Sequence, residues 1–251
     1  MDNTLYVGLS KQMILSRELD VAANNMANVD TAGFKVESLI TQDDPVMPVH
    51  APPGSTPVQF ALDQGVARDF SQGAMQQTGS PLDMAIDGKG FFQVQTAGGI
   101  RYTRDGRFGT DAQGQLIDAK GDPVLDAGGA AITLNAQGGA PQIGLDGTIT
   151  QKIPGQAQVA VIGKIGVVNF DSLGGLSKAG DGLYANPTNA QTTPASAAVI
   201  HQGMLESSNV QPIVQITDLI RISRAYDSVS QMMSDSSDLS KTAIQRLGSV
   251  Q

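Results

Sequence analysis

Two histidines, six aspartates and a short run of basic residues are the side chains whose types could do chemistry here. General acid–base catalysis needs a histidine with a positioned partner. His50 sits in a proline-rich stretch and His201 far from it, so neither is expected to carry a function. Asp83, Asp87, Asp105, Asp111, Asp118 and Asp122 could supply the paired carboxylates of a glycosidase or the oxygen ligands of a calcium ion. Their order does not follow the EF-hand pattern, and they lie among Gly and Pro, where Asp is a turn former. Arg101, Arg104 and Arg107 form a local basic cluster with Lys89 that could meet an anion. On a chain with a net charge of −8, a solvated strand face is the expectation. No Gly-x-Ser-x-Gly elbow, HExxH pair or Walker loop is present, and "DGKGFF" lacks the third glycine and the helix of a nucleotide-binding turn. No catalytic residue, metal ligand or cofactor is therefore expected.

The composition narrows the classes further. The 251 residues suffice for one large or two small domains, and 40% are hydrophobic, but only 4% are aromatic. Phosphate binding needs a basic field, so a nucleic-acid surface is not expected. With no cysteine, disulfides, thiol catalysis and thiolate metal sites are excluded. No apolar run is long enough to span a bilayer, so direct membrane insertion is not expected. The opening Met-Asp-Asn and the early Lys11 are unlike a cleavable signal.

The elements that would position any site differ in kind along the chain. Steps of four and three from Met1 pick out Leu5, Leu15, Leu19, Ala22, Met26 and Val29, a narrow heptad-like seam over roughly 45 Å of helix. Gly33 is a plausible cap for it. The same steps from Leu219 pick out Ile222, Tyr226, Val229, Met233 and Leu247, and no Gly or Pro interrupts 213–247. Gln12, Ser236 and Ser240 are polar positions within the seams that would help fix register. Residues 79–182, in contrast, hold 22 of the 29 glycines. Short β-branched runs recur there between turn signals: a hairpin over Phe91–Arg104, a second bending at Asp111–Gly114, an Asp-Gly hairpin in "IGLDGTIT", and a long stretch from Val159 to Phe170. The stretch from Thr41 to Phe60 holds five prolines and is expected to be extended or loop-like.

The fold class is therefore α+β. An all-β domain of hairpins and meander (81–185) is inserted between an N-terminal helix (1–35) and a return linker with a C-terminal helix (186–251). An extended Pro-rich segment (36–80) leads into it. Neither seam can bury itself alone, so the two helices are expected to pack as a coiled coil, on each other or on neighbouring subunits, with the seam residues as subunit-packing positions. "ANNMANVDTAGFK" (23–35) is expected to be a joint rather than an active site, with Asn24, Asn25, Asn28, Gly33 and Phe34 as its members. The asparagines either satisfy backbone groups near the helix end or bond the C-terminal helix or a neighbouring subunit.

That stretch, following an amphipathic helix, resembles the signature of bacterial flagellar rod and hook axial proteins. "AIDGKGFFQVQTAGGIRYTRDGRFGTDAQGQLIDAKGDPVL" (85–125) is similar to their β-domain motif. "HQGMLESSNVQPIVQITDLIRISRAYDSVSQMM" (201–233) resembles their C-terminal motif. Residues 128–155 match no motif. Met26 stands where the family usually has Leu, a substitution that packs well. The resemblance implies a structural subunit of the basal-body rod, the drive shaft of the flagellum, most similar to the proximal rod subunits. It implies proximal and distal rod proteins, copies of itself and the flagellar type III export apparatus as partners. It also implies a location in the rod across the periplasm, reached without a cleaved signal. Two readings from other classes are a carbohydrate-acting enzyme using β-domain carboxylates and an extracellular binding module.

Overall fold

The computed structural model describes residues 2–46, 58–156 and 158–248. They form two compact units. The helical unit comprises 1–27, 37–69 and 211–251; the β-unit comprises 28–36 and 70–210. The chain thus passes between units four times.

The helical unit consists of α1 (Asp2–Ala27), α2 (Pro212–Gly248) and a two-stranded antiparallel hairpin, β1 (Glu37–Val46) and β2 (Val58–Arg68). The helices pack face to face. Leu15, Ala22 and Ile222 are buried between them, with Leu19, Leu219, Ala225, Tyr226 and Val229 packed around. Contacts run from Gly8 against Met233, through Gln12 donating to Ser230 at 3.0 Å, to Asn25 against Gln215, so the pair is antiparallel. Seam residues that sequence periodicity assigned to subunit packing therefore also meet within one chain. Ile14 and Val21 are buried on another side of α1, and α1 also touches both hairpin strands.

The hairpin was not visible as such in the sequence. Four of the five prolines between Thr41 and Phe60 fall at 48–57, outside the described residues together with His50. Pro45 lies in β1, opposite Gln59. Glu37 pairs with Arg68 at the base, and a bulge falls between Ile40 and Thr41.

α1 stops at Ala27, short of the sequence expectation. Asn28 takes over the chain's hydrogen bonding: its carbonyl accepts from the Thr31 amide at 3.2 Å and its side chain accepts from the Thr31 hydroxyl at 3.2 Å. Such local bonding competes with helix continuation. Val29 consequently falls in a turn rather than on the seam, and Gly33 is not the helix cap. The side chain of Leu247 is outside the described residues.

The β-unit is almost wholly antiparallel. Met75–Gln77 (β3) pairs with Met204–Glu206, and Met84–Asp87 (β4) pairs with Val199–Gln202. Phe91–Thr96 (β5) and Gly99–Thr103 (β6) form the expected hairpin. They sit at the centre of a six-stranded sheet that also takes in Ser177–Gly180, Leu183–Ala185, Val167–Phe170 and Thr192–Pro194. The segment after residue 186, expected as a linker, thus supplies three strands. The Val159–Phe170 stretch is split between two sheets. The chain turns at Gly166, where a Cβ would stand 2.5 Å from the Asp126 carbonyl oxygen.

Two cores result. The larger holds Met84, Ile86, Phe92, Val94, Leu116 and Val124 among others. The smaller is built from Phe91, Tyr102, Val168, Phe170, Leu176 and Tyr184, with Phe70 against it. Five of the chain's eleven aromatic rings meet in or on this second cluster, edge to face, the arrangement the ring quadrupole favours. Residues 128–155, where the sequence reading placed no motif, fill the larger core with Ile132, Leu134, Ile143 and Ile149. Between 111 and 134 one turn recurs: Asp-Ala-x-Gly at 111, 118 and 126. In each the Asp Oδ1 accepts two amides of its own turn. The strands that follow close a ring: the amide of Leu116 bonds Ile132 O, that of Ile132 bonds Val124 O, and that of Val124 bonds Leu116 O.

Candidate functional site

The side chains first considered for chemistry are dispersed by the fold. His201 is paired with Asp87 at 3.7 Å on the half-exposed edge of β4. Asp111 and Asp118 cap their own turns, and Asp83 accepts from the Thr78 hydroxyl at 2.6 Å. Asp105 chelates Arg107 at 2.7–3.2 Å, and that bonding raises the Arg107 pKa. The expected basic cluster is not one patch. Arg101 lies along the surface against the Ile100 carbonyl at 3.0 Å and Lys89 is exposed, whereas Arg104 is buried. Sequence proximity misled because only Arg101 lies in β6; Arg104 follows the strand's end and turns inward, and Lys89 and Arg107 lie in other segments. Among the described residues no group of three or more His, Asp or Glu is placed to hold a metal ion. No helix among them is long and apolar enough to cross a membrane.

What the fold does build is a pair of buried polar joints, one in each unit, both starting from the Asn-rich signature. In the helical unit Asn25 is 2% exposed. Its amide donates to Glu37 O at 2.7 Å and to Gln215 Oε1 at 3.1 Å, while its Oδ1 accepts from the Glu37 amide at 2.8 Å. It thus engages the backbone of β1 as a neighbouring strand would, and reaches α2 as well. The Glu37 carboxylate is held by Asn24 at 3.0 Å and by Arg68 at 2.9 Å. Of the two roles open for the asparagines, Asn25 fills the bond to the C-terminal helix and Asn28 the local one at the helix end.

In the β-unit the joint is ionic. Lys35 and Glu206 have no side-chain exposure and lie 2.5 Å apart. Glu206 Oε1 also accepts the Gly73 amide at 2.9 Å, and Oε2 accepts from Arg104 at 3.1 Å. Lys35 donates to Ser71 O at 2.6 Å; Arg104 donates to Ile86 O at 3.2 Å and to Gly88 O at 2.6 Å. Two cations share one carboxylate. Burial lowers the Arg104 pKa, and Glu206 opposes that shift. Arg104 Nε has no hydrogen-bond partner, but its guanidinium lies 5.4 Å from the centre of the Phe91 ring, a cation–π contact. The Gly33 amide donates to Glu206 O at 2.7 Å. Gly33 has φ +68°, and a Cβ there would lie 2.4 Å from the Arg104 carbonyl carbon, so both conformation and space require glycine. Phe34 is buried beneath Lys178, whose Nζ is 5.0 Å from the ring centre.

Sequence reasoning placed Asn24, Asn25, Asn28, Gly33, Phe34 and Lys35 at a joint but did not foresee the burial of Lys35 or the joint roles of Glu37, Arg104, Glu206 and Gln215. Lys35, Arg104 and Glu206 each lie within one of the three quoted motifs, and a lysine between Phe34 and Val36 was a usable sign of burial. Nothing in local spacing connects residues 171 apart.

All three quoted stretches are recognised by family models. Residues 5–35 match the flagella basal body rod protein family, 85–151 the flagellar hook protein FlgE/F/G D1 domain, and 201–246 the flagellar basal body rod FlgEFG protein C-terminal region. A flagellar basal-body rod protein FlgF of Caulobacter vibrioides is 52% identical over all of both chains. One of Rhizobium meliloti is 38% identical over 99% of each. A FlgG of Bacillus subtilis is 32% identical over 95% of this chain and 97% of its own. The chain belongs to the FlgF family of flagellar basal-body rod proteins. As a FlgF-family member it is a structural subunit of the flagellar basal body rather than an enzyme. The two buried joints are accordingly structural devices, and their chemistry is the holding of segments.

Proposed function

We propose that this FlgF-family chain is a proximal-rod subunit that polymerises through its terminal helices and passes motor torque along many parallel helical seams. The observation that supports this most directly is a second apolar stripe on each helix. Tyr6, Leu9 and Met13 are 62%, 46% and 66% exposed on α1, at helical steps of three and four; Ile213, Ile216 and Ile220 are 80%, 44% and 49% exposed on α2. Leu239 and Ile244, at 72% and 68%, are further exposed apolar residues toward the end of α2, on other faces of the helix. Exposed apolar surface of this extent marks an interaction site. The occupants are copies of the same chain and other rod proteins, joined with coiled-coil packing. The acidic, cysteine-free chain is delivered by the flagellar type III export apparatus to the rod across the periplasm.

The test uses residues that the intrachain helix contact does not need. Leu9→Asp and Ile220→Asp are expected to leave the far-UV circular dichroism and thermal midpoint of the monomer unchanged. They should abolish rod completion and swimming when they replace the native chain. Motile cells with complete rods carrying both substitutions would overturn the reading.

A further inference from the structure

Residues 28–36 belong to the β-unit but add no strand to it. Phe34, though 4% exposed, joins neither apolar cluster of that unit. The segment is held instead by polar contacts at its far end. Gly33 and Lys35 bond Glu206, Lys35 bonds Ser71 O, the Val36 amide donates to Asn209 Oδ1 at 2.8 Å, and Phe34 O accepts the Asn209 amide at 3.4 Å.

We propose that residues 28–36 are a strap that docks on the β-unit and leaves it as one piece, with Lys35, Glu206 and Arg104 as its latch. A buried ion pair adds little over well-packed apolar groups, yet breaking it by removing one partner is costly. Such a contact is therefore close to all-or-none, unlike a graded apolar surface. The latch is also asymmetric. Arg104 keeps the carbonyls of Ile86 and Gly88 and the face of Phe91 when Lys35 leaves, so the interior side of the site survives an open strap. Gly73 shares Glu206 Oε1 with Lys35, so residues 71–73 loosen with the strap. The strap is the stretch of chain between α1 and β1, so the latch decides whether that stretch is fixed. The N-terminal and C-terminal family motifs become two halves of one closure.

Native-state hydrogen exchange on the full-length monomer tests this without reference to rod assembly. In Lys35→Met the amides of Gly33, Val36 and Gly73 are expected to exchange on the order of a hundredfold faster. Those of Phe92 and Val94 in β5 should be unchanged. Glu206→Gln should accelerate the same set, and the double variant should exceed the stronger single by little, since both open one latch. Unchanged exchange at Gly33, Val36 and Gly73 would overturn the proposal. Equal acceleration at Phe92 and Val94, additive effects in the double variant, or failure of both single variants to fold would overturn it too, because the ions would then be ordinary core.

Discussion

Asn25 in the helical unit and Glu206 in the β-unit are both buried polar side chains that gather distant segments, one through neutral amides and the other through ions. Asn25 links α1, β1 and α2; Glu206 links the strap, residues 71–73, the end of β6 and the strand at Met204–Glu206. Each neutral bond of Asn25 has a net worth of about 1 kcal/mol, and its side chain is fully satisfied. The carboxylate of Glu206 instead stabilises two cations that water would otherwise solvate, so losing it strands charge in the interior. The neutral joint is thus graded and the ionic one near a switch. That difference suits their places: the first lies within a packed helical unit, the second holds a segment that brings no strand pairing of its own.

The comparison is broken most strongly at Gly33, which serves the ionic joint through its backbone. Gly33→Ala must adopt φ +68° and push a methyl group within 2.4 Å of the Arg104 backbone. A left-handed non-glycine residue costs about 1 kcal/mol or more, and displacing backbone adds about 1–3 kcal/mol. A loss of about 2–4 kcal/mol in urea unfolding of the full chain is expected. If Gly33→Ala costs less than the amide variants below, the strap is not held tightly against Arg104.

Asn25→Ala should rank next, at about 2–3 kcal/mol, because it removes the side-chain bonds to the Glu37 amide and carbonyl from a buried site. Its effect should appear in the helical unit. Faster exchange of the Glu37 amide, with Gly33 and Gly73 unaffected, is the expected pattern. If Asn25→Ala also freed Gly33, the two joints would be one cooperative structure and the contrast between them would fail.

Much of the framework was legible in the sequence, because it rests on periodicity. The seam of Leu15, Leu19 and Ala22 and that of Leu219, Ile222 and Tyr226 follow the 3.6-residue repeat. The hairpin at Phe91–Thr103 follows alternation and its glycine turn. The β1–β2 hairpin was not legible: Glu37–Asp44 alternates little, and its prolines argued for a loop. Periodicity also cannot say whether a seam meets its own chain or another; Leu19 and Tyr226 are met within the chain. The joints were half legible. Asn25 stood out as a polar residue at a helix end, but Lys35 and Glu206 look like ordinary charges on a chain that carries forty of them. Their burial depends on a closure over 171 positions, and no local pattern encodes a contact of that range.

The smallest effect sharpens the comparison from the other side. Asn24 neighbours Asn25 in sequence, but its amide donates to the side chain of Glu37, at 3.0 Å, and Arg68 holds that carboxylate from the other oxygen at 2.9 Å. Asn24→Ala removes one charge-assisted bond from a half-buried position and gains the better helix propensity of alanine. The two changes oppose each other, so the net change should lie within about 0.5 kcal/mol of zero by chemical denaturation. The Asn24 and Asn25 variants thus separate two ways of holding β1, through the carboxylate of Glu37 or through its backbone. The geometry assigns the work to the backbone, because Asn25 occupies both its donor and its acceptor. If Asn24→Ala matched Asn25→Ala, the carboxylate would be the true anchor. The helical joint would then be ionic like its counterpart, with Arg68 in the place that Arg104 takes beside Glu206.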